Sequence, residues 1–168
     1  MSRFSIIKAL GLLTLLGLFL TACDNTQQAQ LDDTSIGFNQ LTLEPKAGTR
    51  RWYFAEQAER GKTVFANNCA VCHGKNAEAT PHWKTLDANG HYPPPPLNGS
   101  AHAWHHPLAI LGRTIYHGGT PVGGQMPAFK DVLSETDMID AIAHFQSYWS
   151  DDIYQRWLQI ENSYRQQQ

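Results

Sequence analysis

Apolar stretches of different period, separated by polar ones, organise this chain. The first runs from Ala9 to Leu20 and is interrupted only by Gly11, Thr14 and Gly17. It is shorter than the ~20 residues that a helix needs to cross a bilayer. Arg3 and Lys8 lie at its basic start, so it predicts an export signal instead of a span. Residues 24–50 are rich in Gln, Asn, Asp and Thr, show no sustained period, and predict a flexible tether. A helical period then sets in. Phe54, Ala58, Gly61 and Phe65 fall on one face of a helix that ends just before Cys69. Glycine inside a helix costs about 1 kcal/mol relative to alanine, so Gly61 predicts the close approach of a second helix. That partner begins at Ser134, which can cap it with Asp137 three residues on. Ile139, Ile142, Phe145 and Trp149 form its apolar stripe. Between the two, Pro107 suits the first turn of a short helix through Leu108–Tyr116, which Gly118-Gly119 ends. Ile153, Trp157, Leu158 and Ile160 predict a helical extension over 151–168. It would pack on the domain or on a partner and fray at Gln166-Gln167-Gln168.

At 168 residues, with 17% charged and 11% aromatic side chains, the chain suits one compact domain. Its formal charge is -2, and removing Arg3 and Lys8 with residues 1–23 leaves 11 basic against 15 acidic groups, or -4. No basic patch is present, which excludes nucleic acid as a partner. So weak a charge also gives no strong electrostatic steering toward any protein partner.

The cysteines carry the chemistry. Leu20-Thr21-Ala22-Cys23 resembles a bacterial lipoprotein signal. The resemblance implies cleavage before Cys23 and lipidation of its thiol, and Asp24 next to it implies retention at the inner membrane. Cys69 and Cys72 then remain as thiols, able to form a disulfide, bind zinc or attach haem. Zinc would want four ligands, and a second Cys pair is absent. A thioredoxin-like dithiol would want strand–helix–strand flanks, whereas these read as helix and loop. Cys69-Ala70-Val71-Cys72-His73 is the C-x-x-C-H pattern of covalent c-type haem attachment. Two residues between the thiols span the two vinyl groups, and the adjoining histidine is delivered beneath the ring to ligate iron.

A helix before C-x-x-C-H with Gly61 and then aromatic Phe65, followed by a closing amphipathic helix, resembles the class I cytochrome c family over roughly residues 52–149. The resemblance implies an all-α fold in residues 51–150, with short helices around one covalently attached haem c and the first and last helices crossing at the glycine. Pro93-Pro94-Pro95-Pro96-Leu97-Asn98-Gly99 resembles the family's Pro-x-Leu-x-Gly loop. On that match the Pro95 carbonyl accepts the Nδ1–H of His73, and Leu97 packs on the haem face. Gly124-Gln125-Met126-Pro127-Ala128-Phe129 resembles the distal-ligand loop, implying Met126 as the second axial ligand. Elimination supports this: Met1 leaves with the signal and Met138 falls early in the last helix. Met/His ligation raises the reduction potential. His117 and His144 are the remaining alternatives. In Ala101-His102-Ala103-Trp104-His105-His106 the histidines lack carboxylates or cysteines to complete a metal set, and they read as surface or propionate-facing. Trp104 is expected to donate its indole N–H to a haem propionate.

Together these readings predict a periplasmic, membrane-anchored monohaem cytochrome carrying single electrons between redox proteins or respiratory complexes, without making or breaking substrate bonds. Three other readings stay open. They are a haem enzyme or gas sensor with an open distal site, a non-haem dithiol protein, and a cytochrome subunit of a dehydrogenase complex.

Overall fold

In the computed structural model, which describes residues 37–168, five helices and no strand form among the described residues. They are α1 (Ala55–Asn68), α2 (Ala70–His73), α3 (Leu108–His117), α4 (Glu135–Ser147) and α5 (Asp151–Arg165). The export signal, Cys23 and the start of the tether lie outside the described residues.

Helices α1 and α4 make the main packing contact, and Gly61 decides how closely they meet. A methyl group at Gly61 would overlap the Asp140 carbonyl of α4 and sit 3.0 Å from Ala141 N. The helical cost of glycine is therefore offset by backbone-to-backbone approach. Phe54, placed by its spacing on the buried face of α1, instead precedes the helix and is 44% exposed. Its backbone N–H donates to Gln57 Oε1 at 3.0 Å. The α4 start follows the reciprocal pattern of a capping box: Asp137 N donates to Ser134 Oγ and Ser134 N to Asp137 Oδ2, each at 3.1 Å.

From Met138 to Gln146 only Ile139 keeps partial exposure, so α4 is enclosed on almost every side and not along one stripe alone. Two of its buried polar side chains find partners, while Gln146 Nε2 has none. Asp140 takes a forked pair of bonds from Arg60 (2.7 and 3.1 Å), and Gln146 Oε1 accepts from Trp52 Nε1 at 2.7 Å.

Helix α5 packs on the segments around the turn Ala103–His105 and the start of α3. Tyr154, Trp157 and Glu161 are its buried positions, spaced at helical intervals. Tyr154 Oη accepts the Trp52 N–H at 2.9 Å, and Trp157 Nε1 donates to the His106 carbonyl at 3.1 Å. The Glu161 carboxylate accepts the Leu108 N–H, an otherwise unpaired donor of the first turn of α3, and also Arg165 Nε, both at 2.6 Å. The extension thus packs on its own domain.

The expectation of a free tether does not hold for residues 37–50. Gly37–Gln40 form a 3₁₀ turn whose Phe38 is fully buried on α3. The ring fills the space beside Gly112, where any Cβ would collide with it. Arg165 then donates to the carbonyls of Leu41 (2.9 Å) and Phe38 (3.3 Å), fastening the strap to the end of α5. A single aromatic in a polar background has no period, so the sequence pattern could not reveal this anchor. No helix of the described residues is long and apolar enough to cross a membrane.

Candidate haem site

The attachment motif forms where α1 stops. Cys69 caps α1 with its N–H on the Phe65 carbonyl (2.9 Å), and α2 is a single turn in which His73 N donates to the Cys69 carbonyl (2.9 Å). That turn leaves Cys69 half-buried, Cys72 exposed and His73 buried, with both thiols free. Burial pushes the Cys69 thiol up to about 11, and the neighbouring Cys72 adds to the rise.

His73 Nδ1 lies 2.9 Å from the Pro95 carbonyl oxygen. A carbonyl only accepts, so the network assigns the proton to Nδ1 and leaves the Nε2 lone pair free for a metal. Burial lowers the His73 pKa, with the Pro95 carbonyl opposing, so the ring stays neutral and able to ligate.

The proline run cannot donate backbone hydrogen bonds of its own, and its neighbours hold it instead. Leu97 N and Asn98 N both donate to the Ala77 carbonyl, at 2.8 and 3.2 Å, and Ala79 N donates to the His73 carbonyl at 2.7 Å. Trp149 Nε1 donates to the Leu97 carbonyl at 2.8 Å. Ala77 and Trp149 position this loop and Ala79 fastens the turn after His73, yet the sequence reading placed only Trp149, and that as core. The signal available was the missing N–H groups of Pro93 to Pro96, which oblige other residues to fasten the loop.

Met126 sits half-buried on the loop after α3. That loop is clipped back on the helix: Gly119 N donates to the Met126 carbonyl at 2.8 Å, and Phe129 N to the Ile115 carbonyl at 3.0 Å. Leu97, Tyr116, Met126, Phe129 and Cys69 are each partly buried against the core. Two thiols, an imidazole with Nε2 free and a thioether are the donor types that a covalently held haem uses.

Trp104 is half-buried in the 3₁₀ turn Ala103–His105, with its ring edge-on to His105 at 3.8 Å. Burial lowers His102 and His106, and the charges of neighbouring histidines act in the same direction. Among the described residues no group of three or more His, Cys, Asp or Glu side chains could hold a metal ion. Of the alternative axial ligands, His117 is exposed at the end of α3. His144 is buried against Phe65 (5.4 Å between ring centres), with Nε2 3.3 Å from the Tyr148 hydroxyl.

The model of the family described as cytochrome c oxidase, cbb3-type, subunit III matches residues 56–145. The cbb3-type cytochrome c oxidase subunit CcoP of Azospirillum brasilense is 36% identical over 81 residues, 48% of this chain and 25% of that protein. Cytochrome c6 of a Synechocystis species is 32% identical over 95 residues, 54% of this chain and 64% of that protein. The chain thus spans about a quarter of one relative and under two thirds of the other. No solved structure matches it significantly.

Proposed function

We propose, from the premise that this chain belongs to the cbb3-type cytochrome c oxidase subunit III family of class I cytochromes c, that it is a lipid-anchored periplasmic carrier of single electrons with His73 and Met126 as axial ligands. The chain is a c-type cytochrome of electron transfer with covalently bound haem c, as its relatives are. When bound, that haem supplies a centre that gains and loses one electron.

The protein's part is to hold and tune. Cys69 and Cys72 would fix the group by thioether bonds from one helical turn, so that His73 follows in register. The observation that carries the ligand assignment is the 2.9 Å bond from His73 Nδ1 to the Pro95 carbonyl, because a buried ring so engaged has only Nε2 to offer. Met126, on a loop clipped to α3, would supply a soft neutral ligand that raises the potential. Leu97 would cover the haem face, and Trp104 would donate to a propionate.

Leu20-Thr21-Ala22-Cys23 and Asp24 support anchoring at the periplasmic face of the inner membrane. With the strap fastened at Phe38, fourteen residues separate that anchor from it, a reach of at most about 54 Å. The domain would meet partners held in the same membrane. Redox proteins or respiratory complexes are those partners, and the likeness to an oxidase subunit favours an oxidase.

The test is the mass and absorption spectrum of protein matured with its signal and a c-haem assembly system. The expected result is one covalent haem, a low-spin reduced spectrum and a near-infrared Met–iron band that Met126→Ala abolishes. High-spin iron in the wild type would select the open-site enzyme or sensor. An absent haem mass would defeat the assignment.

A further inference from the structure

The loop that carries the Pro95 carbonyl is gripped at one peptide unit, Leu97–Asn98, from both ends. The Leu97 carbonyl accepts from Trp149 Nε1 at 2.8 Å, and the Asn98 N–H donates to the Ala77 carbonyl at 3.2 Å. Leu97 N donates to the same Ala77 oxygen at 2.8 Å. When both ends of one peptide are engaged the two bonds polarise each other, so losing either weakens the other. Ala77 offers its oxygen from a left-handed backbone (φ 57°), a conformation that costs a residue with a Cβ and persists only where the surroundings enforce it.

Only Pro96 stands between Leu97 and Pro95. It is buried, and its ring locks its φ. Pro95, as a residue before proline, is itself confined to extended backbone. A displacement of Leu97 therefore passes to the Pro95 oxygen, which lies 2.9 Å from His73 Nδ1. The donor at the far end is equally fixed. Trp149 is 2% exposed, Trp157 of α5 packs edge-on against it at 6.0 Å, and Arg51 Nη2 donates to its carbonyl at 2.9 Å.

We propose that Trp149 is a positioning residue for the axial histidine: its indole N–H fixes Leu97, rigid Pro96 carries that placement to the Pro95 carbonyl, and His73 keeps a short Nδ1–H bond as a result. The junction of α4 and α5 thereby helps to set the reduction potential. The proposal rests on His73 as an axial ligand. A hydrogen bond from Nδ1–H makes the imidazole a more basic ligand, which favours the oxidised centre. Losing the indole N–H should therefore raise the potential. Removing a group that bonds a metal ligand directly costs roughly 10–100-fold in affinity. Trp149 acts further out, so a change of about threefold in the reduction equilibrium is expected, or about 28 mV at about 59 mV per decade for one electron.

The test compares Trp149→Phe, Pro96→Ala, their double variant and Trp52→Phe with the parent, all full-length and haem-loaded. Trp52→Phe is the matched control: it also removes a buried indole donor, but one bonded to Gln146 Oε1 of α4 at 2.7 Å and not to the proline loop. Redox titration should show the rise in Trp149→Phe and in Pro96→Ala. The double variant should shift no further than the larger single change, because both break one linkage. In proton NMR of the reduced protein, the His73 Nδ1–H should exchange with solvent faster in Trp149→Phe than in the parent. Trp52→Phe should lose stability in urea yet keep the parent's potential and exchange rate. An unchanged or lowered potential in Trp149→Phe, an equal rise in Trp52→Phe, or additive shifts in the double variant overturns the proposal. If Trp149→Phe does not mature, Pro96→Ala decides, and an unmoved potential there overturns it. A parent without low-spin haem would instead refute the ligand reading itself, and the proposal with it.

Discussion

Replacing Gly61 with alanine sets two effects of opposite sign against each other, and the structure says which wins. By helix propensity alone the change should stabilise α1 by about 1 kcal/mol. The new methyl would overlap the Asp140 carbonyl and stand 3.0 Å from Ala141 N, both backbone atoms that no rotamer can move aside. To restore a carbon–oxygen separation of about 3.3 Å, the helices must part by more than about 1 Å. A gap of 0.5–1 Å already forfeits a quarter to a half of the dispersion attraction between facing atoms. Phe65 and Ile142 are buried on these two helices, so the loss reaches the centre of the core. Overpacking and separation together cost about 4 kcal/mol, which leaves a net loss of about 3 kcal/mol. At this chain length that is a fall in thermal midpoint of roughly 10 °C. Circular dichroism melts and urea titration of the haem-loaded protein measure it. The neighbouring, exposed Lys62→Ala should lie within about 0.5 kcal/mol of wild type. A Gly61→Ala protein as stable as its parent would refute a backbone-to-backbone crossing here.

Three more outcomes follow from burial and charge. Glu161→Ala strands the Leu108 N–H and one bond of Arg165, which retains its bonds to the strap carbonyls; urea unfolding should show a loss near the low end of the buried-pair range, about 3 kcal/mol. Phe38→Ala should likewise cost about 3 kcal/mol, with faster proteolysis ahead of α1, whereas a free tether would show no change in either. His144 is held below its usual pKa of 6.5, chiefly by burial, so the unfolded chain takes up the proton first as pH falls. Its contribution is full above about pH 6.5 and is lost on acidification through that value. His102 and His106 share the direction, so the test is a smaller drop in urea midpoint between about pH 7.5 and pH 5 for His144→Gln than for wild type.

The sequence by itself determined the local structure and the chemistry. Period placed α1 and α4, Ser134 and Asp137 marked where α4 starts, and Cys69-Ala70-Val71-Cys72-His73 named its cofactor because thiol spacing is a covalent requirement that needs no fold to be read. Gly61 signalled a close contact, since a helix keeps a costly glycine where a Cβ cannot fit. What only the tertiary structure decided were contacts between residues far apart in the chain. Phe38 reaches Gly112, Arg165 reaches Leu41, Trp149 reaches the Leu97 carbonyl, and Glu161 reaches the first turn of α3. Each pairs a backbone group or a single side chain across at least fifty residues, and no period records such a match.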